Sequence, residues 1–272
     1  RIGGGGHLGG GGEGGMTSAA LDWFDTYLLG REGLLDPRPV ALHVQGDRPE
    51  WRHHEDWPPP ATSTSWFLQP GGGLGTAPPP ESEPDINRYD PLDPTPAAGG
   101  IGLLTGGMVD NTALEARDDV LVYTSDPLAD PLVLLGPVHA EIHFETDNDD
   151  TDVFVRLCDV HPDGTSWNVC DALQRYTPST IGRGADGVAV AEVELWPAGH
   201  RFGAGHRVRV QVSGGAHPTY ARNLGTGEPP ATGLRTAPAV RRIHHDPTRP
   251  SRVVLPHEDE PRSTDPDGTL TH

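Results

Sequence analysis

The run Arg207 to Ser213, reading RVRVQVS, alternates valine with charged or amide side chains in strict period two. Only an extended strand keeps Val208, Val210 and Val212 on one face and Arg207, Arg209 and Gln211 on the other, because a helix would scatter the valines around its circumference. Similar runs recur near Pro39 to Gln45, Val120 to Thr124, Leu132 to Leu135, Val138 to Glu145, Asp152 to Val160, Trp167 to Leu173, Val188 to Leu195 and Ser251 to Leu255. Eight or more antiparallel strands joined by long crossovers predict a mainly β chain, a jelly-roll β-sandwich with two sheets over one apolar layer. Strands do not alternate with helices, which excludes a parallel doubly wound sheet.

The 36 glycines and 29 prolines among 272 residues would suit a disordered chain, but the alternating apolar runs assign them to turns and loops instead. A net charge of -19 repels nucleic-acid phosphates and anionic membranes, so neither is expected as a partner. No apolar run approaches the roughly 20 residues of a membrane-spanning helix.

A single helix is predicted from about Ser18 to Leu29. Leu21, Phe24 and Leu28 recur at helical spacing, Thr17 or Ser18 can cap the start, and Gly30 can end it. It reads as an ordinary docking helix. Trp51, Trp57 and Trp66 are expected to fill the seam between helix and sandwich, rather than to form a sugar-stacking platform, since the prolines at 58–60 suggest a fixed strap. Gln69 to Asp85 and Arg88 to Gly107 read as a loop and a long excursion with little regular structure.

No metal or cofactor is expected. Cys158 and Cys170 flank a hairpin turned by Pro162-Asp163-Gly164 and read as buried thiols on neighbouring strands, with a disulfide left open, rather than as metal ligands. Asp147 to Asp152 lacks the glycine and distal glutamate of a calcium loop. In His53-His54-Glu55-Asp56 and His244-His245-Asp246, adjacent residues on a strand face opposite ways; the second group reads as closing the last strand. Arg222 and Asn223 read as fixing their loop through hydrogen bonds to backbone carbonyls.

The wording of the strand and its exit, GHRVRVQVS followed by HPTYARNLGTG, resembles the C-terminal β-domain of the CocE/NonD serine hydrolases. SAALDWFDTYLLG, VALHVQGDRPEWRHHEDWPPP, Ser65 to Leu68, YDPLDPTPAAGG, RDDVLVYTSDPL, TDVFVRLCDVHPDG and RIHHDPTRPSRVVLP follow in that family's order. The resemblance implies residues 1–38 as the end of an α/β-hydrolase domain, a glycine-rich loop plus helix. It implies residues 39–272 as a galactose-binding-like jelly roll of the X-Pro dipeptidyl-peptidase type. The expected function is the C-terminal portion of a serine hydrolase acting on esters or X-Pro peptides by acyl transfer; a carbohydrate-binding sandwich is the alternative.

No G-x-S-x-G nucleophile elbow occurs in the sequence, so the serine and its orienting acid are expected upstream of Arg1 and the chain is expected to be inactive alone. His7, at the spacing of the family's hydrophobic-Gly-Pro-Trp-x-His motif but with glycines in place of proline and tryptophan, is either the catalytic base or a solvated histidine in a glycine tract. Leu103 and Leu104, on the excursion that approaches the active-site mouth in the family, either wall the acyl pocket or anchor the loop. A small ester or peptide is the expected substrate, reached through the hydrolase domain, and a homodimer is open. The expected location is the cytoplasm, with secretion left open.

Overall fold

The computed structural model describes residues 16–101 and 106–258. Helix α1, Met16–Leu29, comes first, followed by strands β1 Val40–Gly46, β2 Glu50–His54, β3 Thr62–Gln69, β4 Gly73–Gly75 and β5 Asp85–Tyr89. A one-turn helix α2, Thr112–Glu115, precedes β6 Val120–Thr124, β7 Leu132–Thr146, β8 Thr151–Val160, β9 Ser166–Tyr176, β10 Ala189–Phe202 and β11 Arg207–Ser213. The chain closes with β12 Ala239–Ile243, β13 His245–Asp246, β14 Arg249–Pro250 and β15 Arg252–Glu258.

In hydrogen-bonding order the strands run β2-β1-β10-β7-β15-β3-β4-β6-β11-β8-β9, with β12 pairing β7 and β5. A single parallel bridge, Gly73 to Thr124, joins β4 to β6. The two stretches on either side of that bridge face one another. Ile142, Phe144, Val193, Leu195, Val253 and Leu255 from the first pack in one cluster with Val153, Val155, Leu157, Val208, Val210 and Val212 from the second. Each such side chain contributes about 1.5–3 kcal/mol by leaving water, so this layer holds the sandwich shut. The expected mainly β sandwich with one N-terminal helix is what the chain forms.

Strands β6 and β11 have the bounds that the alternation predicts. Leu132 to Leu135 and Val138 to Glu145, expected as two strands, are one 15-residue strand. Pro137 lacks an N–H and interrupts the sequence pattern, but β10 bulges between Leu195 and Ala198 opposite it, and pairing resumes on both sides. Strands β2, β3, β4, β5 and β12 lie in stretches whose sequence shows no clean alternation.

Two expectations about packing are corrected. Helix α1 spans the predicted segment and ends at Gly30, whose φ is 69°, but Leu21, Phe24 and Leu28 are exposed rather than docked. The tryptophans do not fill a seam under it. Trp57 packs on a small cluster of Leu42, Val44, Val133 and Leu135; Trp66 lies against the main core; Trp51 is 40% exposed and lies against His43, the rings tilted with centroids 5.0 Å apart.

Strand β8, between β11 and β9, has all ten residues buried. Its inner face is Val153, Val155 and Leu157. Asp152, Phe154, Arg156 and Cys158 point outward, where loops rather than solvent cover them. The charged positions of this strand, Asp152, Arg156 and Asp159, each organise a polar cluster.

Candidate functional site

The long excursion after β5 is held down by a buried polar clamp. Arg156, 1% exposed, donates through Nε and Nη2 to Asp171 Oδ2 at 3.1 and 2.8 Å, its direct cross-strand partner on β9. Its Nη1 donates to the carbonyl of Ala98 and, at 2.7 Å, to Asn111 Oδ1. Asn168 accepts from the Val109 N–H at 2.8 Å and donates to the Gly107 carbonyl at 2.9 Å. Gly100 and Gly107 exchange two backbone hydrogen bonds of 3.0 and 2.8 Å, which closes the base of the segment between them. Gly100 has φ 85°, and a Cβ there would stand 2.8 Å from Asp171 Oδ2, so glycine is required on both counts.

Leu103 and Leu104 belong to the segment that this clamp closes, but they lie outside the described residues, as does His7. The expected pocket-walling and base roles therefore rest on the sequence resemblance. The clamp itself was missed in the sequence, although a visible signal existed: Arg156 is a charged residue flanked on both sides by apolar ones, Val153 to Val155 and Leu157, and Asp171 follows at hairpin register.

One arrangement among the described residues has the composition of a catalytic triad. Ser82 Oγ lies 2.8 Å from His245 Nδ1, and His245 Nε2 lies 3.0 Å from Asp85 Oδ2. In a serine hydrolase the ring faces the serine through Nε2 and the carboxylate through Nδ1, the reverse of what is found here. The Ser82 hydroxyl also reaches the main-chain oxygen of His245 at 3.0 Å, and Tyr123 donates to Asp85 at 2.9 Å. His245 is 1% exposed. The group acts as a staple that ties β13 to β5 and β6. The His245 hydrogen bond is the main influence holding the Asp85 carboxyl below its ordinary range, with burial opposing and Tyr123 reinforcing.

The other clusters are structural. Asp152 pairs with Arg175 at 2.7 Å and accepts from Asn223 at 2.9 Å; Asn148 donates to the Gly225 carbonyl at 3.0 Å; Asp149 pairs with Arg183. The acidic turn thus clamps the loop after β11. Arg222 reaches the Pro91 carbonyl at 3.1 Å, as expected, whereas Asn223 bonds a carboxylate rather than a carbonyl. His53 faces Asp36 at 3.2 Å and His54 faces Glu258 at 3.7 Å, in separate pairs. Cys158 and Cys170 are buried free thiols; burial pushes Cys158 up to about 12 and Cys170 well above its ordinary value. One set of potential metal ligands does come together, Asp159, His161 and His206, none of which the sequence reading considered.

The outer surface of α1 is the remaining feature. Leu21, Trp23, Phe24, Tyr27, Leu28 and Leu29 are between 49% and 71% exposed. Trp23 holds Phe24 and Tyr27 at ring distances of 5.3 and 4.8 Å, and a groove separates the helix from Leu34, Pro37, Pro39, Ala41 and His53. No described helix is long and apolar enough to cross a membrane.

Residues 33–254 match the family described as the X-Pro dipeptidyl-peptidase C-terminal non-catalytic domain. The chain is 34% identical to a cocaine esterase from Rhodococcus sp. (strain MB1 Bresler) over 88% of its own length and 45% of the esterase, and 25% identical to a putative serine esterase of Mycobacterium bovis over 87% and 40%. Among solved structures it superposes on an α-amino acid ester hydrolase with a TM-score of 0.78 at 26% identity, covering 90% of this chain and 46% of that one. A CocE/NonD family hydrolase from Staphylococcus aureus shares the fold, with a TM-score of 0.61 at 16% identity over 88% and 45%. The chain spans less than half the length of each of these relatives. It belongs to the family of X-Pro dipeptidyl-peptidase C-terminal non-catalytic domains and corresponds to the C-terminal part of CocE/NonD proteins.

Proposed function

We propose that this chain is the non-catalytic sandwich of a serine hydrolase that cleaves esters or X-Pro peptides by acyl transfer, and that it caps the catalytic core and shapes its pocket. The observation that carries this reading is the uncovered face of α1. A sandwich with its own closed core has no use for six large apolar side chains left in water, and a face of that size marks a surface that another part of the protein covers. The esterases among the relatives extend over more than twice the matched length, so the occupant proposed here is the hydrolase core of the same protein.

In this reading His7 supplies the general base, accepting the proton of a serine contributed by the core. Leu103 and Leu104, carried on the closed base at Gly100 and Gly107, wall the acyl pocket. The isolated chain does not turn over substrate, because it brings no nucleophile elbow.

The test compares the purified 272-residue chain with the full-length gene product on p-nitrophenyl butyrate. The chain alone is inert and the full-length protein is active. Trp23→Ala combined with Leu28→Ala lowers the melting temperature and activity of the full-length protein while leaving the melting of the isolated chain unchanged. Turnover by the isolated chain, or a full-length protein indifferent to the paired helix substitution, overturns the reading.

A further inference from the structure

At one end of the sandwich, three imidazoles converge on one carboxylate. Asp159, the second-last residue of β8, lies on the inner face of its strand and is wholly buried. Its Oδ1 is 2.8 Å from His206 Nδ1, in the turn between β10 and β11. Its Oδ2 is 2.9 Å from His200 Nε2, on β10 of the facing layer, and 3.7 Å from His161 Nε2, in the turn after β8. The rings of His161 and His206 lie with centroids 4.5 Å apart. The cluster has a solvent side: the side chain of His161 is 35% exposed and that of His206 11%, against 2% for His200.

We propose that Asp159, His161 and His206 form a binding site for one divalent ion of the zinc type. One ligand atom from each of the three lies within 4.8 Å of the others. Tetrahedral zinc with bonds of about 2.0–2.1 Å needs its ligands about 3.3 Å apart, so the 2.8 Å between Asp159 Oδ1 and His206 Nδ1 would widen while rotation of the exposed His161 ring brings its nitrogen in from 3.7 Å. Two imidazoles and a carboxylate suit zinc rather than calcium or magnesium, which prefer all-oxygen shells. Three protein ligands leave a fourth position for water on the side of His161.

The surroundings are arranged as a metal site requires. His200 bonds Oδ2 and fixes the carboxylate plane, which turns Oδ1 toward the His206 ring; its own ring is packed against Phe202 at 4.8 Å. When the ion takes the place of the proton between His206 Nδ1 and Asp159, a neutral His206 ring carries its proton on Nε2 instead. That nitrogen and Asp47 Oδ2 both stand within 3 Å of the point that a Gly203 Cβ would occupy, at 2.9 and 2.7 Å. Any side chain at 203 would crowd this ring, so glycine there keeps the space beside its second nitrogen open. The ion would tie the turn after β8 to the turn that leads into β11.

The experiment titrates the chelator-stripped, tag-free chain with Zn²⁺ by calorimetry and with Co²⁺ by visible absorption, and follows melting in both states. The expected result is one ion per chain, intense cobalt bands between about 500 and 650 nm diagnostic of a tetrahedral N/O site, and a melting temperature that rises with zinc. His161→Ala, at a half-exposed turn position that leaves the fold intact by circular dichroism, weakens binding at least tenfold. His139→Ala, a surface histidine paired with Glu192, leaves it unchanged. Absence of stoichiometric binding, unaltered affinity in His161→Ala, or equal loss in His139→Ala overturns the assignment.

Discussion

Arg156 and Asp171 stand directly opposite one another on β8 and β9, 2.8 Å apart and each about 2% exposed, and the same guanidinium carries the loop that ends at Asn111. A buried ion pair adds little net stability over an apolar pair, but removing one partner strands the other charge out of water, at a cost of about 3–5 kcal/mol. Arg156→Met is therefore expected to destabilise by about that amount in urea unfolding. Arg156→Met with Asp171→Leu should recover part of the loss, because no lone charge remains. A single substitution costing under about 1 kcal/mol, or a double variant as damaged as the sum, would show that the pair does not hold the loop.

Asp246 gives the stability a defined acid limb. Burial works to raise its carboxyl, but the Thr248 hydroxyl and N–H, together with Arg249, outweigh it and hold the group at about 2. A depressed folded-state value means that the ionised form stabilises fully above the unfolded value near 3.8 and that this contribution fades as pH falls through about 2. The shift corresponds to about 2 kcal/mol. Urea midpoints of wild type and Asp246→Asn should differ at pH 5 and converge near pH 2. A gap independent of pH across that range would refute the assignment.

Ser82 separates a structural staple from a second catalytic centre. With its hydroxyl shared between the ring and main-chain oxygen of His245, Ser82→Ala should cost about 1–2 kcal/mol through a buried nitrogen left unmatched. It should leave ester hydrolysis by the full-length protein untouched. A large loss of turnover without loss of stability would make Ser82 a nucleophile instead.

The architecture was legible wherever one rule, period-two alternation, governed the residues. Val208, Val210 and Val212 face the core as their spacing dictates. The other face of β11 was not legible. Arg209 and Gln211, placed by alternation opposite the valines, are bound by Glu115 of α2, a contact between residues almost a hundred positions apart. Strand β12 was missed because its Arg241, on the same face as Ala239 and Ile243, is 1% exposed beside Tyr89, where a charged side chain by itself suggests water.

The sequence by itself determined the class of fold, the N-terminal helix and the family resemblance, since each depends on neighbouring residues or on ordered local wording. Tertiary structure alone decided which charges are partners: Arg156 with Ala98 and Asn111, His245 with Ser82 and Asp85, and Asp159 with three histidines from three different segments. The physical reason is that strand periodicity fixes the face a side chain points to, whereas the occupant of that face arrives through long crossovers whose paths are set by the packing of the whole core.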